Sequence, residues 1–198
     1  GNDEIDVDVN SNNAATWNHG ICGGSYDLGD GNNVIKVNTQ RGSGDLPTTA
    51  WGIQQADIRM GSGDDRISVV SADYGISDQA AHIIDTGSGN DRIEVNCQKA
   101  GISDANITMG DGNDALAVTG QILGEYSLIN TNIDMGAGDD TVSIINSHNS
   151  TIQFGKGYDI LTLYGISSDY AVIRLKDDSL KITKASDNFF DLTVKGLE

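Results

Sequence analysis

The sequence predicts an all-β fold, a parallel β-solenoid of about six to seven coils with a C-terminal β-hairpin cap. Three observations predict it. A glycine-rich turn recurs along most of the 198 residues, alternating apolar residues follow each turn, and the pattern stops near Gly165. A turn and a strand that return at every level are what stacked coils require.

The clearest copy of the repeat is Met60-Gly61-Ser62-Gly63-Asp64-Asp65-Arg66-Ile67-Ser68-Val69. Its two glycines allow positive φ angles, and the Asp two positions after the second glycine adds a hard carboxylate oxygen. The apolar residues that follow alternate, as in a strand with one buried face. Close copies begin at Thr86, Met109 and Met135, weaker ones begin at Leu28 and Phe154, and residues 1–7 form the back half of a seventh. We therefore expect the chain to be part of a longer array.

The spacing of the turns indicates coils of uneven length. The second glycine lies at positions 1, 31, 63, 89, 112, 138 and 157, which gives steps of 30, 32, 26, 23, 26 and 19 residues. In the shortest coil we expect a strand at 141–145, a turn at 146–150 and a strand at 151–154. The stretch 39–48, which contains Pro47, is predicted to be a loop.

Longer coils are predicted to add a third short strand. Its signature is an aromatic or small residue followed by Gly-Ile, at Trp51-Gly52-Ile53, Tyr74-Gly75-Ile76 and Ala100-Gly101-Ile102, with Gly20-Ile21 as a looser version. Trp17, Trp51 and Tyr74 recur at this position. We expect them to stack inside the core, and the alternative is a sugar-binding strip on the outer face.

The repeated turn resembles the nonapeptide of the repeats-in-toxin (RTX) family of calcium-binding β-rolls and β-helices. The resemblance implies a right-handed solenoid over residues 1–165 and Ca²⁺ bound between successive turns. It also implies that the motif carboxylate and backbone carbonyls are the ligands. Only one edge carries the motif, so we expect a single row of about five ions, weakest at Asn33 because its amide brings no charge. The predicted metal-site residues are Asp3, Gly29, Gly31, Asn33, Gly61, Gly63, Asp65, Gly87, Gly89, Asp91, Gly110, Gly112, Asp114, Gly136, Gly138, Asp140, Gly155, Gly157 and Asp159.

The charge of the chain favours a cation-binding protein. The sequence has 29 acidic and 12 basic side chains, for a net charge of -17, which argues against nucleic acid and anionic membranes as partners. Carboxylates stacked about 5 Å apart repel by roughly 3 kcal/mol per pair at an effective dielectric constant near 20. We expect Ca²⁺ to relieve this repulsion, so that the chain folds when calcium binds. The alternative is that Gly and Asp only build tight turns.

The last 33 residues differ in pattern and charge. Residues 166–198 carry 5 basic and 6 acidic side chains, against 7 and 23 in residues 1–165. We expect strands at 170–175 and 180–183, a third at 189–194, and a role as a cap on the last coil.

Function is predicted to be structural and not enzymatic: a calcium-triggered module of a secreted or cell-surface bacterial RTX protein, for which the family implies type I secretion. The alternatives are a polysaccharide-binding or polysaccharide-modifying β-helix, lyase-like or epimerase-like, or a segment of an adhesin or surface layer. A groove of acids beside Lys or Arg on an outer sheet would favour the polysaccharide alternative. Cys22 and Cys97 are expected to be free thiols, because three coil steps place them about 14 Å apart. His19, His82 and His148 are expected at ordinary loop or surface positions.

Overall fold

The structure, a computed structural model, describes residues 1–10, 17–41, 49–77, 82–119 and 126–197. These residues form three sheets and one short 3-10 helix, Ser167–Asp169. The prediction of an all-β fold is confirmed over these ranges, and no helix in them is long and apolar enough to cross a membrane. Most of the predicted loop at 39–48 lies outside the described residues.

The first sheet contains the strands that follow the glycine-rich turns. All its pairs are parallel, and their register repeats the spacing of the turns, as in Ile35, Ile67 and Ile93, which lie side by side. Alternation buries Ile67 and Val69 and leaves Arg66 exposed. In spatial order the strands are β1 (Glu4–Val9), β4 (Val34–Thr39), β7 (Arg66–Ser71), β10 (Arg92–Cys97), β13 (Ala115–Thr119), β16 (Thr141–Ile144) and β19 (Ile160–Leu163).

The second sheet confirms the predicted third strand, since Ile53 pairs with Ile21 on one side and Ile76 on the other. One detail of the prediction was wrong. The shortest coil also has this strand, because Ser147–His148 forms a parallel pair where a turn was expected. The strands are β2 (Trp17–Cys22), β5 (Thr49–Gln54), β8 (Tyr74–Ser77), β11 (Ile102–Ser103), β14 (Leu128–Ile129) and β17 (Ser147–His148).

Glycine in the second sheet is explained by a close approach to the first sheet. A Cβ atom added at Gly52 would lie 2.2 Å from Val69 Cγ1 and 2.6 Å from the Gly75 carbonyl oxygen. Gly75 and Gly101 meet the same two kinds of neighbour at the same distances to within 0.1 Å. The Gly-Ile signature therefore marks the positions where no side chain fits between the sheets.

The third sheet begins with strands that lead into the glycine-rich turns and ends with the C-terminal segment. The last two pairings are antiparallel, so the predicted hairpin and third strand are confirmed. The third strand also pairs in parallel with β18. The strands are β3 (Ser25–Asp27), β6 (Asp57–Arg59), β9 (His82–Asp85), β12 (Ala105–Thr108), β15 (Asn132–Asp134), β18 (Ser150–Gln153), β22 (Asp187–Lys195), β21 (Leu180–Lys184) and β20 (Tyr170–Arg174).

One hydrophobic cluster joins the inward faces of the three sheets. Isoleucine dominates it, since β-branched side chains suit the pleated surface. Met60, Met109, Met135 and Phe154, which precede the glycine-rich turns, are fully buried at its edge.

The aromatic residues of the second sheet lie on the outside, so the expected interior stack is wrong. Trp17 is 67% exposed, and Trp51 and Tyr74 are partly exposed. The Trp51 ring is sandwiched between His19, at a centroid distance of 4.8 Å, and Tyr74, at 5.7 Å. The Lys99 ammonium covers the other face of Tyr74. Because neighbours occupy these ring faces, Trp51 and Tyr74 offer no open platform for a sugar.

The remaining sequence predictions on Cys and His are partly confirmed. Neither cysteine forms a disulfide, and Cys22 is exposed whereas Cys97 is buried. His19 and His148 are partly exposed. His82 is only 3% exposed, so its expected loop or surface position is wrong; it begins β9, where the alternation turns its side chain inward.

Candidate metal centre

The glycine-rich turns stack so closely that glycine is required at both positions. Gly87 and Gly89 have φ values of 95° and 137°. A Cβ atom at Gly87 would lie 1.7 Å from the Gly61 carbonyl oxygen, and one at Gly89 would lie 2.0 Å from that of Gly63. The turns are also hydrogen-bonded, since Ser88 N donates to Gly61 O at 3.0 Å and Gly63 N donates to Ser88 O at 2.7 Å.

A ladder of carboxylates runs along the stacked turns. In every turn after the first, Oδ1 accepts the backbone N–H of the equivalent residue one turn earlier. Asp114 Oδ1 accepts from Asp91 N, and Asp140 Oδ1 accepts from Asp114 N, both at 2.8 Å. We call this the inner ladder; its members are Asp3, Asn33, Asp65, Asp91, Asp114, Asp140 and Asp159.

The second oxygen of these carboxylates is the unusual feature of the site. Oδ2 is buried and without a hydrogen-bond partner in Asp65, Asp91, Asp114, Asp140 and Asp159. The first four of these residues are at most 2% exposed. A buried anionic oxygen that accepts nothing is costly, and it indicates a missing proton or a missing cation.

Burial changes the acidity of the inner ladder in the expected direction. Desolvation raises the pKa of Asp114 to about 7 and the pKa values of Asp65 and Asp140 to about 6, although each accepts a backbone N–H that opposes the rise. Burial also raises the pKa of Asp91, although its Oδ1 accepts the Asp65 N–H. The Thr86 hydroxyl donates its one proton to Met109 O at 2.9 Å, which leaves the Asp91 Oδ2 without a donor.

The hydrogen bonds of Asn33 identify the groups that surround the Oδ2 atoms of the other ladder residues. Its Nδ2, the counterpart of Oδ2, donates to three backbone carbonyls: Gly29 O at 2.8 Å, Gly31 O at 3.0 Å and Met60 O at 2.9 Å. By the register of the turns, Oδ2 of Asp65 faces the corresponding carbonyls of Gly61, Gly63 and Thr86. An oxygen surrounded by acceptors is a suitable ligand group for a hard cation such as Ca²⁺.

The predicted site residues are thus brought together in one row of turns. Asp3 and Asn33, the first two members of the inner ladder, differ from the others. Asp3 is exposed, and its backbone N–H donates to Asn33 Oδ1 at 3.0 Å. That oxygen, expected to bind an ion, is therefore already engaged. Across the described ranges no three His, Cys, Asp or Glu side chains cluster as one metal site. An ion here would use carboxylates from the row together with backbone carbonyls.

A second ladder, which the sequence analysis missed, lies beside the first on the solvent side. Here Oδ1 accepts the N–H of the following turn, the opposite direction: Asn32 Oδ1 accepts from Asp64 N at 3.0 Å and Asp64 Oδ1 from Asn90 N at 2.8 Å. The signal was present, since Asn or Asp precedes the inner-ladder residue in every turn but the last. We call this the outer ladder; its side chains are Asn2, Asn32, Asp64, Asn90, Asn113 and Asp139.

A separate buried charge lies at the turn between the first and second sheets. Asp73 is fully buried and pairs with Arg41 and with Lys99 Nζ at 3.0 Å, and it accepts the Ala50 N–H at 2.9 Å. Hydrogen bonds and charge from these partners outweigh desolvation and lower the pKa of Asp73. Because both oxygens of the buried Asp73 carboxylate have partners, this cluster is a structural cross-link.

No protein-family model, curated protein or solved structure matches this chain.

Proposed function

We propose that this chain is a calcium-binding structural module of the RTX type, which folds and becomes rigid when Ca²⁺ binds. In this proposal residues 1–165 form a right-handed parallel β-solenoid of six to seven coils, and residues 166–198 cap its last coil. The observation that carries the proposal is the row of five buried Oδ2 atoms that accept no hydrogen bond.

Calcium suits this row for a chemical reason. The available ligands are carboxylate and carbonyl oxygens, the donors that Ca²⁺ prefers. A divalent ion adjacent to each Oδ2 supplies the positive charge that the surrounding carbonyls lack, and it cross-links successive turns. Mg²⁺ demands a smaller, octahedral shell and keeps its waters, so it suits these sites of carboxylate and carbonyl oxygens less well.

The role follows from linkage between binding and folding. A ligand that binds the folded chain alone stabilises it in proportion to the logarithm of its free concentration. A chain with a net charge of -17 then stays unfolded where calcium is scarce and folds where calcium is abundant, outside the cell. We infer a non-enzymatic module of a secreted or cell-surface bacterial protein, whose partners are calcium ions.

Far-UV circular dichroism during a calcium titration from chelator, with Mg²⁺ as the control, tests this proposal. The expected result is a cooperative gain of β signal with Ca²⁺ and little with Mg²⁺. The same β signal in chelator as in calcium would overturn the folding switch.

A second candidate function is polysaccharide binding, favoured by a groove on the outer face of the first sheet. Arg92 and Glu94 line it and pair with each other, and Glu94 also pairs with Arg66 outside the groove. The groove, about 360 Å³, is also lined by Asn96 and the half-exposed Val70. Acid and basic groups together are the feature that favours this alternative. Affinity electrophoresis in neutral and uronate polysaccharides, with Arg92→Ala as the matched variant, tests it. The quantity compared is the retardation of each protein relative to a gel without polysaccharide, and equal retardation of both proteins in every gel contradicts the proposal.

A further inference from the structure

Asn33 is the one amide in a ladder of carboxylates, and its orientation is fixed by its neighbour. The Asp3 backbone N–H needs an acceptor and finds Asn33 Oδ1 at 3.0 Å. The amide nitrogen must therefore point the other way, toward the carbonyls of Gly29, Gly31 and Met60.

The three backbone carbonyls around the second side-chain atom of a ladder residue form a cage. Asn33 donates hydrogen bonds to all three carbonyls of its cage, whereas the carboxylates of the later turns have no proton to donate to theirs. Asn33 is fully buried, and Nδ2 has two protons to share among three acceptors at 2.8–3.0 Å. At Asp65 the corresponding atom is Oδ2, buried and without a partner. Both residues occupy the same place in the ladder, since Asp65 Oδ1 accepts the Asn33 N–H as Asn33 Oδ1 accepts the Asp3 N–H.

We propose that the Asn33 amide is a built-in substitute for a bound cation, so that the Gly29–Asn33 turn is cross-linked without calcium and the row of ion sites begins at Asp65. This inference rests on the proposed function, because it concerns the same row of cages. It replaces the expectation of a weak ion at Asn33 with no ion at all.

The substitution has a consequence for folding. A cage closed by an amide keeps its hydrogen bonds in chelator, whereas a cage closed by an ion loses its cross-link there. The bond from Asn33 Nδ2 to Met60 O therefore ties the second turn to the third without calcium, and the later coils depend on the ion.

Exchanging amide and carboxylate tests the inference in both directions. Asn33→Asp opens the cage and should add one calcium per chain, measured by equilibrium dialysis with ⁴⁵Ca²⁺ and by calorimetric titration with CaCl₂. Asp114→Asn closes a cage, since its Oδ1 holds the Asp91 N–H, and should remove one. Asn32→Asp is the matched control: it adds the same charge one residue away, on the exposed outer ladder, and should leave the stoichiometry unchanged.

A second measurement does not depend on the loaded protein. In chelator at pH 8, with enough sodium sulfate to keep the calcium-free chain folded, Asn33→Asp should lower the thermal midpoint by about 10 °C relative to Asn32→Asp, because it replaces the buried hydrogen bonds of the amide with an unpaired anion. Asp114→Asn should raise the midpoint.

The outcomes separate the two proposals. If the wild-type protein binds no calcium, the proposed function fails and this inference fails with it. If the wild-type protein binds calcium but Asn33→Asp gains no ion, or gains no more than Asn32→Asp, the inference alone is overturned.

Discussion

Asp114 Oδ1 accepts the Asp91 backbone N–H at 2.8 Å, while Asp114 Oδ2, equally enclosed, accepts nothing. The same carboxylate thus has a structural half, which holds two turns together, and a half that needs a cation or a proton. The same division occurs in four other turns.

Removal of the Oδ1 hydrogen bond between turns should lower the free energy of unfolding even with calcium present. Asp114→Ala leaves the buried Asp91 N–H without an acceptor and opens a gap in the row, so we expect a loss of about 3 kcal/mol in the free energy of unfolding. Urea denaturation in excess CaCl₂ measures it. Asp139→Ala is the control, because its partner, the Tyr158 N–H, is exposed and water can replace the carboxylate; equal losses in both variants would contradict this account.

The calcium-free protein should be more stable in mild acid than at pH 8. Folding raises the pKa values of Asp65, Asp114 and Asp140 to about 6 or 7 from 3.8. Protonation therefore favours the folded state: this contribution is fully present below about pH 4 and is lost as the pH rises through about 6–7, at roughly 3 kcal/mol or more per carboxyl group.

The far-UV circular dichroism of the protein in chelator, followed from pH 8 to pH 4, measures this effect, and the β signal should grow as the pH falls. Asp73, whose pKa is lowered, opposes it only near and below pH 4. In excess calcium the order should reverse, because Ca²⁺ and protons compete for the same oxygens. A β signal in chelator that grows toward pH 8 would be inconsistent with buried, ion-free carboxyl groups.

The contact between the first and second sheets should tolerate no side chain at Gly52. Gly52→Ala places a methyl group 2.2 Å from Val69 Cγ1 and 2.6 Å from Gly75 O, so we expect a loss of about 3 kcal/mol in the free energy of unfolding. Gly29→Ala separates this clash from backbone strain, since Gly29 has a φ of 68° but nothing within 4 Å. It should cost about 1–2 kcal/mol. Guanidinium denaturation in calcium compares the two, and the reverse ranking would contradict the described packing.

The buried ion cluster should matter far more than a surface pair. Asp73→Asn leaves Arg41 and Lys99 without their buried counter-charge, and we expect a loss of about 3–5 kcal/mol. Glu4→Gln, which breaks the exposed pair with Lys36, should cost less than about 1 kcal/mol. Chemical denaturation of both variants in calcium tests the contrast; a cost below 1 kcal/mol at Asp73 would show that the cluster is not a cross-link.

The parts of the fold that depend on the turn were predictable from sequence. The spacing of Gly31, Gly63 and Gly89 gives the register of the first sheet, because two glycines with positive φ are required wherever turns stack this closely. The Gly-Ile signature likewise located most of the second sheet.

It was harder to predict which side chains of a strand face the core. Trp51 was expected inside because solenoid cores build aromatic ladders, yet the inward neighbour is Gly52, at a place where Val69 leaves no room. Strand β17 carries Ser147 and His148, which have no apolar or glycine signal. The unpartnered Oδ2 atoms also could not be predicted, because they depend on which oxygen of each Asp receives the N–H of the neighbouring turn.

The most direct test of the central claim is a crystal structure in excess calcium, with anomalous data that locate the ions. This account predicts anomalous peaks within about 2.3–2.6 Å of the Oδ2 atoms of the inner-ladder carboxylates, and none beside Asn33. Ordered turns with the same ladder and no peak beside Asp65, Asp91, Asp114 or Asp140 would contradict it.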